Sequence, residues 1–269
     1  MIREAHIGIG LSGNEGTQAV QTSDYALCEF RHLWRLILVH GRLSYMRNCE
    51  MILYFFYKNI VMTFPSFLYT YQVGFSGFNL YDDWYISNYN LFFTNMPLVL
   101  RALMDYDVIP ATMADQVCKY IPLLYMRGQL NQSINKTQIL WYFSLGLLTG
   151  CMVFYIPKFA LLAGGITHQD GHTDDLWMFS FASFTSIILV VTNKLLIQSR
   201  SINLAQVAGS ILLTYLVYFG YMFFSQVTFA KLTGTVSFVH VNLTYYAIVC
   251  ITVAACAVMD FAIQTISVL

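Results

Sequence analysis

Residues 51–73, MILYFFYKNIVMTFPSFLYTYQV, decide the fold. At about 1.5 Å per residue, an α-helix of this length crosses a hydrocarbon core of about 30 Å. Yet Lys58, with Asn59 beside it, lies about 10 Å from its start. A lysine near the middle of a membrane helix costs about 2.5–3.5 kcal/mol on insertion scales, so it is expected to face a protein interior or a wet path. Seven residues on, Pro65 cannot donate to the carbonyl of Val61, which predicts a kink and a free acceptor on the same helix.

Moving outward, residues 85–104 repeat this design. Asn90, Thr94, Pro97 and Arg101 fall on one stripe if the segment is a regular helix, and Pro97 frees the carbonyl of Phe93. Two kinked neighbours with facing amides predict a groove for a polar head group. The same residues also suit a lysine that snorkels to one surface while the asparagines bond between helices, and residue types alone do not choose.

The composition, 57% apolar and 10% charged with a mean hydropathy of +0.57, excludes an ordinary soluble domain. Basic and acidic residues number 14 each, so no general affinity for nucleic acid follows. The six cysteines, at 28, 49, 118, 151, 250 and 256, show no CxxC spacing and are expected as free thiols.

Hydropathy predicts an all-α polytopic membrane protein with six transmembrane helices, at about 51–73, 85–104, 138–156, 176–197, 203–224 and 238–259. Residues 1–35 precede them as a soluble α/β piece, and a helical stalk at 36–50 leads into the first span. An even number of spans puts both termini in the cytosol. On that topology eleven basic residues, Lys194 among them, are cytosolic and two are outside, as the positive-inside rule requires. The 158–175 loop carries His168, Asp170, His172, Asp174 and Asp175, which read better as a solvated loop than as a metal site.

Gly8-Ile9-Gly10-Leu11-Ser12-Gly13 spells GxGxxG. A dinucleotide site is rejected because there is no room for a full strand before it and no βαβ unit is expected after it. A short strand over 5–10 and a glycine turn are expected instead.

Two stretches carry a family resemblance. AHIGIGLSGNEGTQAVQTSDYALCEFRHLWRLILVHGRLSYMRNCEMILYFFYKN resembles the junction between the phosphorylation domain and fifth membrane helix of the P4-type ATPases, the phospholipid flippases. YNLFFTNMPLVLRALMDYDV resembles their sixth helix. The resemblance implies helices five to ten of that family, preceded by the end of its phosphorylation domain. It implies an ATP-driven cycle that moves phospholipid from the outer to the cytosolic leaflet, with Mg and ATP as cofactors of the full-length family and none bound here. Lys58, Asn59 and Asn90 match residues implicated in head-group handling, and Thr94 falls on the same path. Asp105 and Asp107 match an acidic pair at the end of the sixth helix. Gly13, Glu15 and Asp24 match the connection that transmits domain motion to the membrane.

The sequence departs from the family pattern at Leu98, where a second proline is usual after Pro97, and at Asn95, where a small residue is common. Met1 falls just after the place of the family's Gly-Asp-Gly-x-Asn-Asp magnesium motif. The expectation is therefore that the chain alone does not hydrolyse ATP. Phospholipid, the membrane and an accessory β-subunit glycoprotein are the implied partners, and no nucleic acid. A truncated, non-catalytic chain that binds a flippase or its accessory subunit, and a passive lipid pore, remain as alternatives.

Overall fold

The computed structural model describes residues 4–13, 18–105, 126, 128–164, 175–201, 203–228 and 234–268. The chain divides into two compact units, one from residues 1–50 and 106–135, the other from 51–105 and 136–269.

In the first unit, β1 (Ile9–Leu11), α1 (Gln18–Gln21) and β2 (Tyr25–Leu27) follow one another, and the two strands pair in parallel with Ile9 opposite Tyr25. This corrects the sequence reading twice. The strand is 9–11 rather than 5–10, because its partner is only three residues long and Asp24 closes the ladder at its start. The Asp24 carboxylate accepts from the Gly8 amide at 2.8 Å, and the Gly8 carbonyl accepts from the Asp24 amide at 2.9 Å. A βαβ unit does follow, in miniature, but its first strand lies inside the glycine motif rather than before it. Gly10 is a packing residue there: a Cβ would sit 2.7 Å from Ser23 Oγ and 2.9 Å from the Ala19 carbonyl oxygen.

A continuous helical stretch then runs from Phe30 to Gln72. It contains α2 (Leu33–Arg35), a π-turn at Leu36–Gly41 and α3 (Arg42–Gln72), so the stalk helix begins six residues before the expected Leu36. Pro65 lies inside α3 and is buried.

The second unit adds α4 (Asp83–Asn88), a π-turn (Tyr89–Phe93), α5 (Asn95–Met104), α6 (Lys136–Gly164), α7 (Leu176–Ile197), α8 (Leu204–Thr228), α9 (Thr235–Val241) and α10 (Leu243–Val268). Five described helical stretches are long and apolar enough to cross a membrane: 30–72, 136–161, 176–197, 204–228 and 243–265. The expected span 85–104 is broken into α4, a π-turn and α5. The expected 138–156 helix runs on past Pro157, which it accommodates, to Gly164. The span expected at 238–259 is displaced because Asn242 interrupts it: its side-chain oxygen accepts from the Thr244 amide at 3.2 Å and hydroxyl at 2.6 Å, capping α10 anew.

Helix α7 is the hub. Of its most apolar stretch 78% is buried, against 22% for α8. Around it Tyr85, Phe93, Phe184 and Tyr218 meet edge to face with centroids 5.4–6.3 Å apart, the geometry aromatic quadrupoles favour. The buried tyrosine hydroxyls around α7 find partners: Tyr81 with Ser183 at 2.9 Å and Tyr85 with Ser225 at 2.8 Å.

Helix α3 docks on a glycine face of α6. Gly146 and Gly150 form a GxxxG pair, and a Cβ on either would meet Ile60 Cγ2 at 2.9 Å or Phe64 Cβ at 3.1 Å. Small residues at this spacing let helices approach closely where no hydrophobic force drives them together. The pairing is reinforced by Tyr57, whose hydroxyl donates to Thr149 Oγ1 at 3.1 Å.

Candidate functional site: a buried lysine between two helices

Lys58 is wholly buried. Its ammonium donates to Thr94 Oγ1 at 3.0 Å and lies 5.0 Å from the centre of the Phe55 ring. The Thr94 hydroxyl spends its own proton on the Tyr89 carbonyl at 2.8 Å, so it faces the lysine as an acceptor. The Tyr89 hydroxyl donates back to the Lys58 carbonyl at 2.9 Å. These three residues close a circuit between α3 and the π-turn.

An ammonium has three donors, and Thr94 is the one hydrogen-bond acceptor Lys58 has among the described residues. No described carboxylate lies within ion-pair reach of it. A buried cation held by one neutral hydroxyl and a ring face is electrostatically incomplete, and the chemistry that completes it is an anion.

The π-turn decides which residues join this site. Thr94 N donates to the Tyr89 carbonyl at 3.1 Å, a bond five residues long instead of four. That extra residue rotates the preceding stretch out of α-helical register. Thr94, Pro97 and Arg101 are therefore buried, as expected, whereas Asn90 is exposed and is not brought to Lys58. Tyr89 takes the inward place instead. Asn59 is half-buried, with its backbone carbonyl accepting from Thr63 Oγ1 at 2.8 Å. Of the family departures, Leu98 is buried and Asn95 is exposed.

A second buried lysine escaped the sequence reading. Lys194, on α7, is paired with Asp260 of α10 at 2.5 Å, with side chains 4% and 5% exposed, and its ammonium lies 4.6 Å from the centre of the Tyr57 ring. Lys194, counted among the cytosolic basic residues, lies inside the helical core rather than in a solvated loop. The orientation argument loses that residue.

With this geometry in hand, the chain was compared with known proteins. A sequence profile described as the phospholipid-translocating P-type ATPase C-terminal family matches residues 20–269. The chain belongs to that family. It is 37% identical over 227 residues to phospholipid-transporting ATPase IC of Xenopus tropicalis, covering 83% of this chain and 17% of that protein. It is 38% identical over 223 residues to probable phospholipid-transporting ATPase IM of Homo sapiens, with 81% and 18% covered. The corresponding figures for probable phospholipid-transporting ATPase 12 of Arabidopsis thaliana are 36% over 219 residues, with 80% and 18% covered. The chain thus spans about a sixth of the length of these relatives. Family membership and the five apolar helices make this a multi-pass integral membrane protein.

Beyond the lysine, this family member has a polar clamp at the end of α5. The Asp105 carboxylate accepts from the Ser201 amide at 2.9 Å, the Ser201 hydroxyl at 3.0 Å, the Arg200 amide at 3.2 Å and Arg101 Nε at 3.4 Å. The Arg101 guanidinium also donates to the Gln198 carbonyl at 3.1 Å. Burial pushes the Asp105 pKa up, but the Ser201 and Arg200 bonds and the Arg101 charge outweigh it, and the carboxyl stays below its ordinary range. The clamp fixes the connection between α7 and α8.

Of the three residues expected to couple domain motion to the membrane, Asp24 closes the β1–β2 ladder and Gly13 is exposed with open space around it. Glu15 lies outside the described residues, as do Asp107, Cys118 and residues 165–174 with His168, Asp170, His172 and Asp174. Asp175 caps α7, accepting from the Leu176 amide at 2.6 Å. The five described cysteines are free. No three His, Cys, Asp or Glu side chains converge on one point among the described residues.

Proposed function

We propose that the chain is the carboxy-terminal membrane portion of an ATP-driven phospholipid transporter, and that Lys58 receives the anionic part of a lipid head group during transport to the cytosolic leaflet. The observation that carries this is the buried ammonium held, among the described residues, only by Thr94 Oγ1 and the Phe55 ring face. A phosphate or carboxylate supplies the charge and acceptors that the ammonium lacks. Asn59, half-buried one residue on, adds an amide on the same helix. Asn90, on the outer face, meets the head group earlier on its way. Pro65 and Pro97, buried in α3 and α5, are the points where these helices flex.

In this reading the broken segment α4–α5 also crosses the membrane, which makes six spans with both termini cytosolic. A π-turn at membrane depth is tolerated because its backbone stays hydrogen-bonded, the Tyr89 carbonyl accepting from both the amide and the hydroxyl of Thr94. The β1–α1–β2 piece belongs to the phosphorylation domain, and Asp24 with Gly13 and Glu15 carries that domain's movement to α3. Mg and ATP act in parts of the longer protein, the chain alone is without ATPase activity, and an accessory subunit glycoprotein binds the assembled transporter.

The test is ATP-dependent uptake of fluorescent phospholipid by the complete protein bearing Lys58→Met. Loss of uptake with normal expression and retained phosphoenzyme formation supports the proposal. Unchanged uptake overturns it, and lipid movement without ATP in liposomes would favour a passive pore.

A further inference from the structure

Helices α7 and α8 run antiparallel, and two contacts fix their register. Near the connection, Gln206 Nε2 donates to Ser199 Oγ at 2.8 Å. Towards the other end, the Thr185 hydroxyl meets those of Tyr218 and Tyr245, each at 2.7 Å. Thr192 is seven residues from both Thr185 and Ser199, two helical turns either way, so it lies on the same side of α7. On α8, the level midway between Gln206 and Tyr218 falls between Ser210 and Thr214. Those two share a face with Gln206 and Tyr218 through a four-residue spacing, and all four are buried.

Thr192, Ser210 and Thr214 are therefore at one level of one seam, and each is wholly buried. None of their three hydroxyl oxygens has a hydrogen-bond partner, and neither does Gln206 Oε1. Neighbouring hydroxyls behave differently: Ser186 donates to the Ala182 carbonyl at 2.7 Å and Ser225 to that of Met222 at 2.8 Å. Buried polar atoms are rarely left unpaired, and four along one seam share a cause.

We infer that the α7–α8 seam holds a short file of ordered water coordinated by Thr192, Ser210, Thr214 and the Gln206 side-chain carbonyl. A buried water takes two to four polar partners, and hydroxyls both donate to it and accept from it. The donor set is made of neutral oxygens and leaves a cation's charge uncompensated. Asp105, the carboxylate that clamps the connection, is already bonded to Ser201, Arg200 and Arg101. The seam adjoins α5, since a Cβ at Gly209 would meet Leu100 Cδ1 at 3.0 Å, and so puts exchangeable water one helix away from the chain segment that carries Thr94.

The experiment is thermal unfolding of the intact protein in detergent, with Thr192→Val, Thr214→Val and the double variant. Near-isosteric removal of a hydroxyl that binds shared water lowers Tm by about 2–4 °C in each single variant. The double variant loses less than the sum, because the shared water is lost once. Thr214→Ser, which keeps the hydroxyl, retains the coupling to Thr192→Val. An unchanged or raised Tm in the single variants means the hydroxyls are dry and overturns the inference. So do strictly additive losses, which mean that each hydroxyl bonds its own helix, and a Thr214→Ser that behaves like Thr214→Val. A Tm that rises with sodium or potassium over choline at equal ionic strength, and loses that rise in Thr214→Val, replaces water by a cation.

Discussion

Two lysines lie inside the helical unit, and they are held in opposite ways. Lys194 has a carboxylate at 2.5 Å, and its charge is cancelled within the protein. Lys58 has a hydroxyl at 3.0 Å and no carboxylate among the described residues, so its charge is not. Both reach α3, at consecutive positions, because Lys194 stacks on Tyr57. Tyr54 donates to the Val191 carbonyl at 2.9 Å and Tyr57 to Thr149, so one side of α3 is anchored to its neighbours. Lys58, one turn beyond Tyr54, reaches Thr94 at the end of the π-turn instead. Position along the chain does not separate a compensated charge from an uncompensated one; the partner does.

The comparison breaks most readily at Asp260. Asp260→Ala leaves Lys194 buried without its counterion, which costs about 3–5 kcal/mol and should show as a collapse in folded yield or Tm. The Lys194→Met/Asp260→Leu pair should recover most of that loss; if it does not, packing rather than charge holds the site.

Lys58→Met sharpens the contrast because the sign reverses. It removes an uncompensated buried charge, so Tm should hold or rise. Phospholipid uptake should meanwhile fall about 10- to 100-fold, the equivalent of about 1.5–3 kcal/mol for a charged hydrogen bond. A Lys58→Met protein that unfolds as Asp260→Ala does would erase the distinction.

Thr94→Val is a milder probe. It deprives the ammonium of its acceptor, and a net contribution of about 1 kcal/mol corresponds to roughly fivefold slower uptake. Thr94→Ser should restore the rate, since the hydroxyl rather than the methyl carries the bond.

The smallest effect is a pH dependence at the Asp105 clamp. The folded carboxyl titrates below its ordinary range, so its stabilisation is complete above that range. It is lost as pH falls through the unfolded value towards the lower folded one. Melting curves of Asp105→Asn and the unmodified protein should differ most at neutral pH and converge in acid. Parallel curves at every pH would remove the carboxylate from the account.

Much of this was legible from residue types. Lys58 in an apolar run predicts a protected interior whatever surrounds it, and that interior is what Thr94, Tyr89 and Phe55 supply. Asn90 was misread because spacing arguments assume 3.6 residues per turn, and no residue type announces a π-turn. Lys194 was misread for a related reason: near the end of an apolar run, a basic residue counts as cytosolic unless its partner is known. That partner, Asp260, lies 66 positions away on another helix. Gly146-x-x-x-Gly150 was readable and was passed over; its meaning lies in Ile60 and Phe64, which only the fold brings against it. The Asn242 break left an ordinary capping residue as its trace, hidden inside a hydrophobic stretch.

The circuit of Lys58, Thr94 and Tyr89 has two independent ties between the same pair of segments. Loss of the bond from the ammonium to Thr94 unfastens only the first. The phenol stays hooked to the Lys58 carbonyl, so the backbones keep their spacing. The ammonium is thus free to change partners without parting the segments, like a bolt drawn on a door whose hinge stays in place.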